Sequence, residues 1–577
     1  ISSANAGSYT ITNLAGITLA DNAGLASNYT LTGGTHNFTV NPKVISLSGS
    51  RLYDATTDAV ASDLTTISGL VGSETLNLSG TGSVTNANVA SNKTVTLGTL
   101  ALADNSGLAA NYTLSGGTHQ LTINQRPLAA TVARQYDGTK TAAGSDLSSF
   151  DALQGGETLT LSGSGTVGDE NVANGQGITL GTLALVDGTG LASNYSLNSA
   201  SLNITERVLN SSGSKTYDAN TNALAGAITL SNLVSGEALN HSGTATISSA
   251  NAGSYTITNL AGITIADGSG GTASNYTLTG GTHNFTVNRR VVGVSGTRLY
   301  DATTNAVASD LSTHTNLVGT ETLNLSGTGT IASKNVGSNK TVSVGTLALA
   351  DGSNGGLAAN YTLSGGTHQL TVNQRPLNAT LSRQYDGTTT SAGSDLSSFD
   401  ALQGGETLTL SGSGTSASAN VANGIAMSSN GNLALVDGTG LASNYSLNST
   451  VINITERVLN SSGSKIYDAN TDALAADITL SNLVSGEALN HSGTATISSA
   501  NVGSYTISNL TGITIADGSG GTASNYTLTG GTHQLTINQR PLNATLARQY
   551  DGTTNAAGSD LSSFDALQGG ETLTLNG

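Results

Sequence analysis

The 577-residue chain carries 19 basic and 36 acidic residues, a formal net charge of −17, with charged residues making up only 10% of it. That balance argues against a nucleic-acid partner and offers no basic surface for anionic lipid. With no cysteine, neither disulfides nor thiolate metal sites can hold the fold, and no run of about 18 apolar residues marks a membrane span.

The chain opens inside a repeated unit, because Ile1 to Gly16 is identical to Ile247 to Gly262. From there a Tyr-Asp dipeptide recurs at Tyr53, Tyr136, Tyr217, Tyr300, Tyr385, Tyr467 and Tyr550, spaced by 81 to 85 residues. An Asn-Tyr dipeptide at Asn28, Asn111, Asn194, Asn275, Asn360, Asn444 and Asn525 keeps the same beat. A fixed period of this length is the signature of an array whose units contact mainly their neighbours. Longer identities sort the repeats into three types in the order A-B-C-A-B-C-B, so the expected partition is a C-terminal half-repeat over 1–42, then A 43–125, B 126–206, C 207–289, A 290–374, B 375–456 and C 457–539, ending in the N-terminal half of a B repeat over 540–577. The half-repeats at the ends read as a window cut from a longer chain, or as halves that complete each other head to tail in a filament.

Within a repeat, apolar residues alternate with Thr and Ser. In the first C repeat Tyr255, Ile257 and Leu260 precede Ile263 and Ile265, and Tyr276 and Leu278 precede Phe285 and Val287. Period-two alternation broken by Gly, Asn and Asp is the antiparallel-sheet signal, with one face buried and one wet; six or seven short strands per repeat are expected. The segment Asp146 to Glu157 departs from this, since Leu147, Phe150 and Leu153 have helical spacing, and predicts one helical turn. The four prolines, Pro42, Pro127, Pro376 and Pro541, each lie shortly before a Tyr-Asp, where a fixed φ stiffens the handover between repeats. The predicted fold is all-β, a tandem array of ~82-residue β-sandwich or β-grasp-like domains forming a rod of about 250 Å. A continuous β-helix is the alternative.

Several motifs resemble a known family: YDGTT at Tyr385 to Thr389, GGETLTL at Gly155 to Leu161, GSYTIT at Gly253 to Thr258 and SNYTLTGGT at Ser274 to Thr282. Together they are similar to the YDG and MBG repeat domains of large bacterial surface and biofilm-matrix adhesins, including filamentous-haemagglutinin-like proteins exported by two-partner secretion. Departures exist, for Ala replaces Gly after Asp in some repeats and VASNKTVTL at Val89 to Leu97 replaces the Gly-Ser-Tyr segment. The resemblance implies a secreted or cell-surface stalk or fibre that is not an enzyme. Its partners would be the neighbouring repeats, copies of itself in a filament, or a matrix polysaccharide or cell surface.

Each repeat also carries a basic residue two before its Tyr (Arg51, Arg134, Lys215, Arg298, Arg383, Lys465, Arg548) and a Glu 20 or 21 residues after it (Glu74, Glu157, Glu237, Glu321, Glu406, Glu487, Glu571). On strands, the Glu is expected to reach the basic group across the sheet, with Tyr covering the sheet end. Seven copies of one active site along a single chain would be an unusual enzyme, so the set reads as structural. A second series of acids, Asp21, Asp104, Asp187, Asp267, Asp351, Asp437 and Asp517, lies in loops such as LVDGTGLASNY. Oxygen-rich loops of this kind suit either calcium, the one cofactor considered, or an ordinary Asp turn. The histidines lack metal spacing and read as surface or hairpin positions.

Overall fold

The computed structural model describes all 577 residues. It divides into two compact units, Ile1–Asn288 and Arg289–Gly577. Each is a tandem array of all-β repeats.

The first full repeat of the N-terminal unit shows the plan. Its strand Ser46–Leu52 lies parallel to its last strand, His119–Asn124, with Leu47 opposite His119 and Leu52 opposite Asn124. Thr66–Ser68 and Ala90–Thr94 flank this pair antiparallel, one on each side. Two further antiparallel pairs, Asp58–Val60 with Thr81–Ser83 and Leu76–Ser79 with Ala101–Asp104, close over the sheet. The core lies between, where alternate residues Leu47, Leu121 and Ile123 meet Ala59, Leu76, Val95 and Leu100. Truncating one such buried leucine costs about 2–5 kcal/mol. Gly49 is required by close approach, because a Cβ there would lie 1.8 Å from the carbonyl oxygen of Asp63.

The C repeats join the same elements into a continuous curled sheet. Leu239–Ile247 bends so that its first half pairs with Ile263–Asp267 and its second half with Asn222–Leu224 and Gly253–Asn259. The same arrangement recurs in the C-terminal unit, where Asn490–Ile497 takes that place.

The all-β repeat array expected from the alternation is what the chain forms, and three details differ. The central pair of each repeat is parallel, as a β-grasp requires, whereas the alternation pointed to antiparallel pairing throughout. Alternation reports which face is buried and is silent on strand direction. The first full repeat has ten short strands instead of six or seven, two of them of only two residues. The helical turn expected over Asp146 to Glu157 is also displaced. A 3₁₀ turn occupies Gly144–Asp146, and Leu147–Phe150 is a strand. A β-bulge at Ser148 sets Leu147 opposite Val132 and Phe150 opposite Ala130. An extra residue in the bulge therefore puts positions three apart on one face, which imitates helical spacing. Finally, first and last strands of a repeat pair across some 72 residues, which excludes a β-helix of short coils.

Candidate functional site at the repeat junctions

The Tyr-Asp segment leaves the first strand of a repeat as a tight loop. Asp54 accepts hydrogen bonds from the Thr56 amide and hydroxyl at 2.9 Å, and Arg51 pairs with Asp54 while donating to the Thr56 carbonyl at 2.6 Å. Burial raises the Asp54 pKa, but the Thr56 amide, Arg51 and the Thr56 hydroxyl outweigh it, leaving the carboxyl below its ordinary value. The same basic residue to Asp pair closes the loop at Arg134–Asp137, Lys215–Asp218, Arg298–Asp301, Arg383–Asp386, Lys465–Asp468 and Arg548–Asp551. The cross-strand pairing of this basic residue with the Glu, expected from sequence, is therefore corrected. The Asp three residues on is closer and meets the basic group within the same loop.

The loop directs its tyrosine at the next repeat. Tyr53 donates its phenol to Glu157 Oε1 at 2.5 Å, and Tyr195, from the same repeat as Glu157, donates to Oε2 at 2.7 Å. The two rings meet edge to face, centroids 5.2 Å apart and planes at 77°. The Gln154 amide in turn donates to the Tyr195 hydroxyl at 3.0 Å, tying the turn before the Glu to the same clamp. Tyr136, Glu237 and Tyr276 repeat the arrangement with both phenol bonds at 2.7 Å and rings 5.4 Å apart. In the C-terminal unit Tyr300, Glu406 and Tyr445 form one clamp, and Tyr385, Glu487 and Tyr526 another. Tyr467 donates to Glu571. Elsewhere in the signature, Glu74 accepts from Tyr112 and Glu321 from Tyr361 within one repeat, Tyr217 is 3% exposed, and Tyr550 is 98% exposed.

Burial, the hydrogen bond to the glutamate and its charge all favour the neutral phenol, so the clamp tyrosines ionise late. Tyr195 and Tyr276 are pushed up to about 12, as are Tyr445 and Tyr526; Tyr53 and Tyr136 rise further. One junction carries an added charge. Lys334 donates to Glu406 Oε1 at 2.6 Å and stands 5.9 Å from the Tyr300 ring centroid. Burial disfavours the ionised Glu406, but hydrogen bonds from Lys334, Tyr300 and Tyr445 outweigh it and hold the carboxyl below its usual value.

Beside each clamp the Asn of the Asn-Tyr dipeptide plugs the seam. Asn194, 1% exposed, accepts the Val89 amide of the preceding repeat at 2.9 Å and donates to Asn88 Oδ1 at 3.1 Å. Asn275 does the same to Val172 and Asn171, Asn444 to Val336 and Asn335, and Asn525 to Val421 and Asn420. An arginine at the handover adds a third tie: Arg375 Nε donates to the Tyr300 carbonyl at 2.7 Å and Arg540 Nε to that of Tyr467 at 2.6 Å. In the sequence Asn-Tyr marks the period and no role for it is legible. Its available signal was the spacing, with Glu to Tyr constant at 38 to 40 residues.

The loop aspartates considered for calcium hold the turn that presents Asn-Tyr. Asp104 Oδ1 accepts the Ala109 amide and Asp187 the Ala192 amide, both at 2.7 Å, and Asp267, Asp351, Asp437 and Asp517 accept those of Ala273, Ala358, Ala442 and Ala523. No group of three or more His, Asp or Glu side chains gathers in the chain. Four histidines lie inside, each opening a strand directly after a Gly-Gly-Thr turn, so of the surface and hairpin readings the surface one does not hold for them. His119, 5% exposed, donates from Nε2 to the Leu114 carbonyl at 2.8 Å and accepts the Leu47 amide at Nδ1; His283, His368 and His533 are held the same way at Nε2.

These features define a tandem all-β repeat protein whose recurring polar site is its own inter-repeat seam. The chain belongs to the YDG domain family, whose model matches six tandem segments, 35–122, 118–202, 201–283, 286–370, 368–452 and 455–536. No curated protein sequence matches it. Among solved structures, the Bacillus anthracis TIE protein aligns over 67% of this chain and 74% of that one, at 8% identity and a TM-score of 0.13, a likeness too slight to carry an argument. No helix is long and apolar enough to cross a membrane.

Proposed function

We propose that this segment is a structural stalk or fibre of a secreted bacterial surface adhesin, in which the repeats supply reach and stiffness and no chemistry. The observation that carries this reading is the recurrence of one seam. The same Tyr–Glu–Tyr clamp and buried Asn join successive repeats in both units. A chain selected for span needs joints that resist bending, and a charge-assisted hydrogen bond plus an edge-to-face ring pair at the four clamped joints supplies roughly 2–4 kcal/mol of local stiffness each. A modest acidity of −17 spread over the chain keeps neighbouring fibres apart.

Single-molecule electron microscopy of the purified chain tests the proposal. A stalk gives extended particles whose contour length grows in proportion when a further A-B-C block is inserted. Compact particles whose diameter barely changes on insertion would contradict it.

A further inference from the structure

The residue after the Asp of Tyr-Asp sits in left-handed backbone in every repeat type, yet it is not always glycine. Ala55, Ala302 and Ala469 have φ of 63°, 63° and 65°, while Gly138 and Gly387 have 73° and 77°. Alanine there carries backbone strain that glycine avoids, so its retention in the A and C repeats calls for a contact.

That contact is the turn before the clamp glutamate of the next repeat, which exists in two forms. In the B repeats it reads Gln-Gly-Gly-Glu, with Gly155 and Gly156 left-handed at 60° and 72°. In the C repeats it reads Val-Ser-Gly-Glu, and only Gly236 is left-handed, at 88°. Losing the left-handed residue two before the glutamate turns a different group toward the incoming loop. Gly155 faces the Ala55 methyl so closely that a Cβ on it would lie 2.9 Å away, and Gly404 and Gly569 face Ala302 and Ala469 at 2.8 Å. In the C repeats the valine side chain faces the loop instead. A Cβ on Gly138 would lie 2.9 Å from Val234 Cγ1, and one on Gly387 2.8 Å from Val484 Cγ1.

We propose that this loop residue and this turn form a steric key that decides which repeat type can follow which: an alanine loop seats only on a turn with glycine two before its glutamate, and a Val-Ser turn admits only a glycine loop. Within each unit the chain obeys the key. Ala55, Ala302 and Ala469 are followed one repeat later by Gly155, Gly404 and Gly569, and Gly138 and Gly387 by Ser235 and Ser485. The C repeat carrying Ala469 departs from A-B-C order by preceding a B repeat, and its successor keeps the glycine. The key thus tolerates reshuffling only among matched neighbours, and a duplication that set an A or C repeat before a C repeat would open the seam.

The test exchanges key and lock in the full chain and reads amide hydrogen exchange at Val172, whose N–H is donated across the B–C seam to Asn275. Gly138→Ala is expected to speed exchange there about tenfold or more while leaving Val89 at the A–B seam unchanged. Adding Val234→Gln and Ser235→Gly, which recreate the B-type turn, is expected to restore protection to within about threefold of the parent. The mirror set runs at the A–B seam, where Gln154→Val with Gly155→Ser should deprotect Val89 and Ala55→Gly should recover it. The key is overturned if Gly138→Ala leaves Val172 protected. It is equally overturned if the loss persists at full size with the exchanged turn, which would assign the effect to backbone strain alone.

Discussion

Tyr53 and Glu157 belong to different repeats, 104 residues apart, and the phenol of the first donates to the carboxylate of the second at 2.5 Å. Because Tyr195 holds the other carboxylate oxygen, one acidic side chain joins two repeats. Replacing Glu237, its counterpart at the following seam, by Ala strands two buried phenols and is expected to cost about 2–4 kcal/mol locally. Glu237→Gln, which still accepts one phenol, should cost less. Exchange of the Val234 amide, donated to Tyr276, reports the loss.

Alkaline titration should report the clamp tyrosines. The clamp phenols are raised above the ordinary value, Tyr195, Tyr276, Tyr445 and Tyr526 to about 12. A phenol that ionises later when folded contributes stability that is complete below about pH 10, the unfolded value, and lost as pH rises through the folded one. Phenolate absorbance from the clamp tyrosines is therefore expected to appear only well above about pH 10, in a step that coincides with loss of β-sheet circular dichroism.

The Lys334 seam should respond to acid and salt unlike its counterpart, where Ala87 takes the place of the lysine. Glu406 is held below its ordinary value, so its contribution is present above the unfolded carboxylate range and lost as pH falls through the depressed folded value. Lys334→Ala is expected to make exchange at Gln403, donated to Tyr445, less dependent on pH between about 3 and 5 and on added salt.

His314 supplies a second acid-sensitive point. Burial lowers its pKa, and its Nε2 has no partner. The neutral ring's advantage is present above the unfolded histidine value of about 6.5 and lost as pH falls. The equivalent position in the first A repeat is Ile67, which sits opposite Leu47 as His314 sits opposite Val294. His314→Ile should raise the thermal midpoint of the C-terminal unit more at pH 5 than at pH 8, as read by calorimetry.

The legible parts of the fold were those written as local alternation. Phe285 and Val287 announce a strand, which is His283–Asn288, and Tyr53 and Tyr136 announce the period. Strand direction was hidden, because Leu47 meets His119 only after most of a repeat has intervened. Leu147 and Phe150 imitated a helix because a bulge between them restored a common face. The site was misassigned for a related reason. Glu157 lies 21 residues after Tyr136 and was matched with partners inside its own repeat, whereas its clamp reaches back to Tyr53. Nothing in a single repeat distinguishes a residue that completes its own sheet from one that seals the next; the seam is exposed by contacts such as Tyr53 to Glu157 and Val89 to the buried Asn194.

The central claim is that each seam is part of the cooperative fold and not a flexible linker. Hydrogen exchange of the Gln154, Val234, Gln403 and Val484 amides, all donated to clamp tyrosines, tests it in one measurement on the full chain. Protection comparable to that of the central-strand amides of Leu121 and Leu370, falling together when the clamp glutamates become alanine, is the predicted result. Exchange at the rate of an open loop in the parent chain would contradict it.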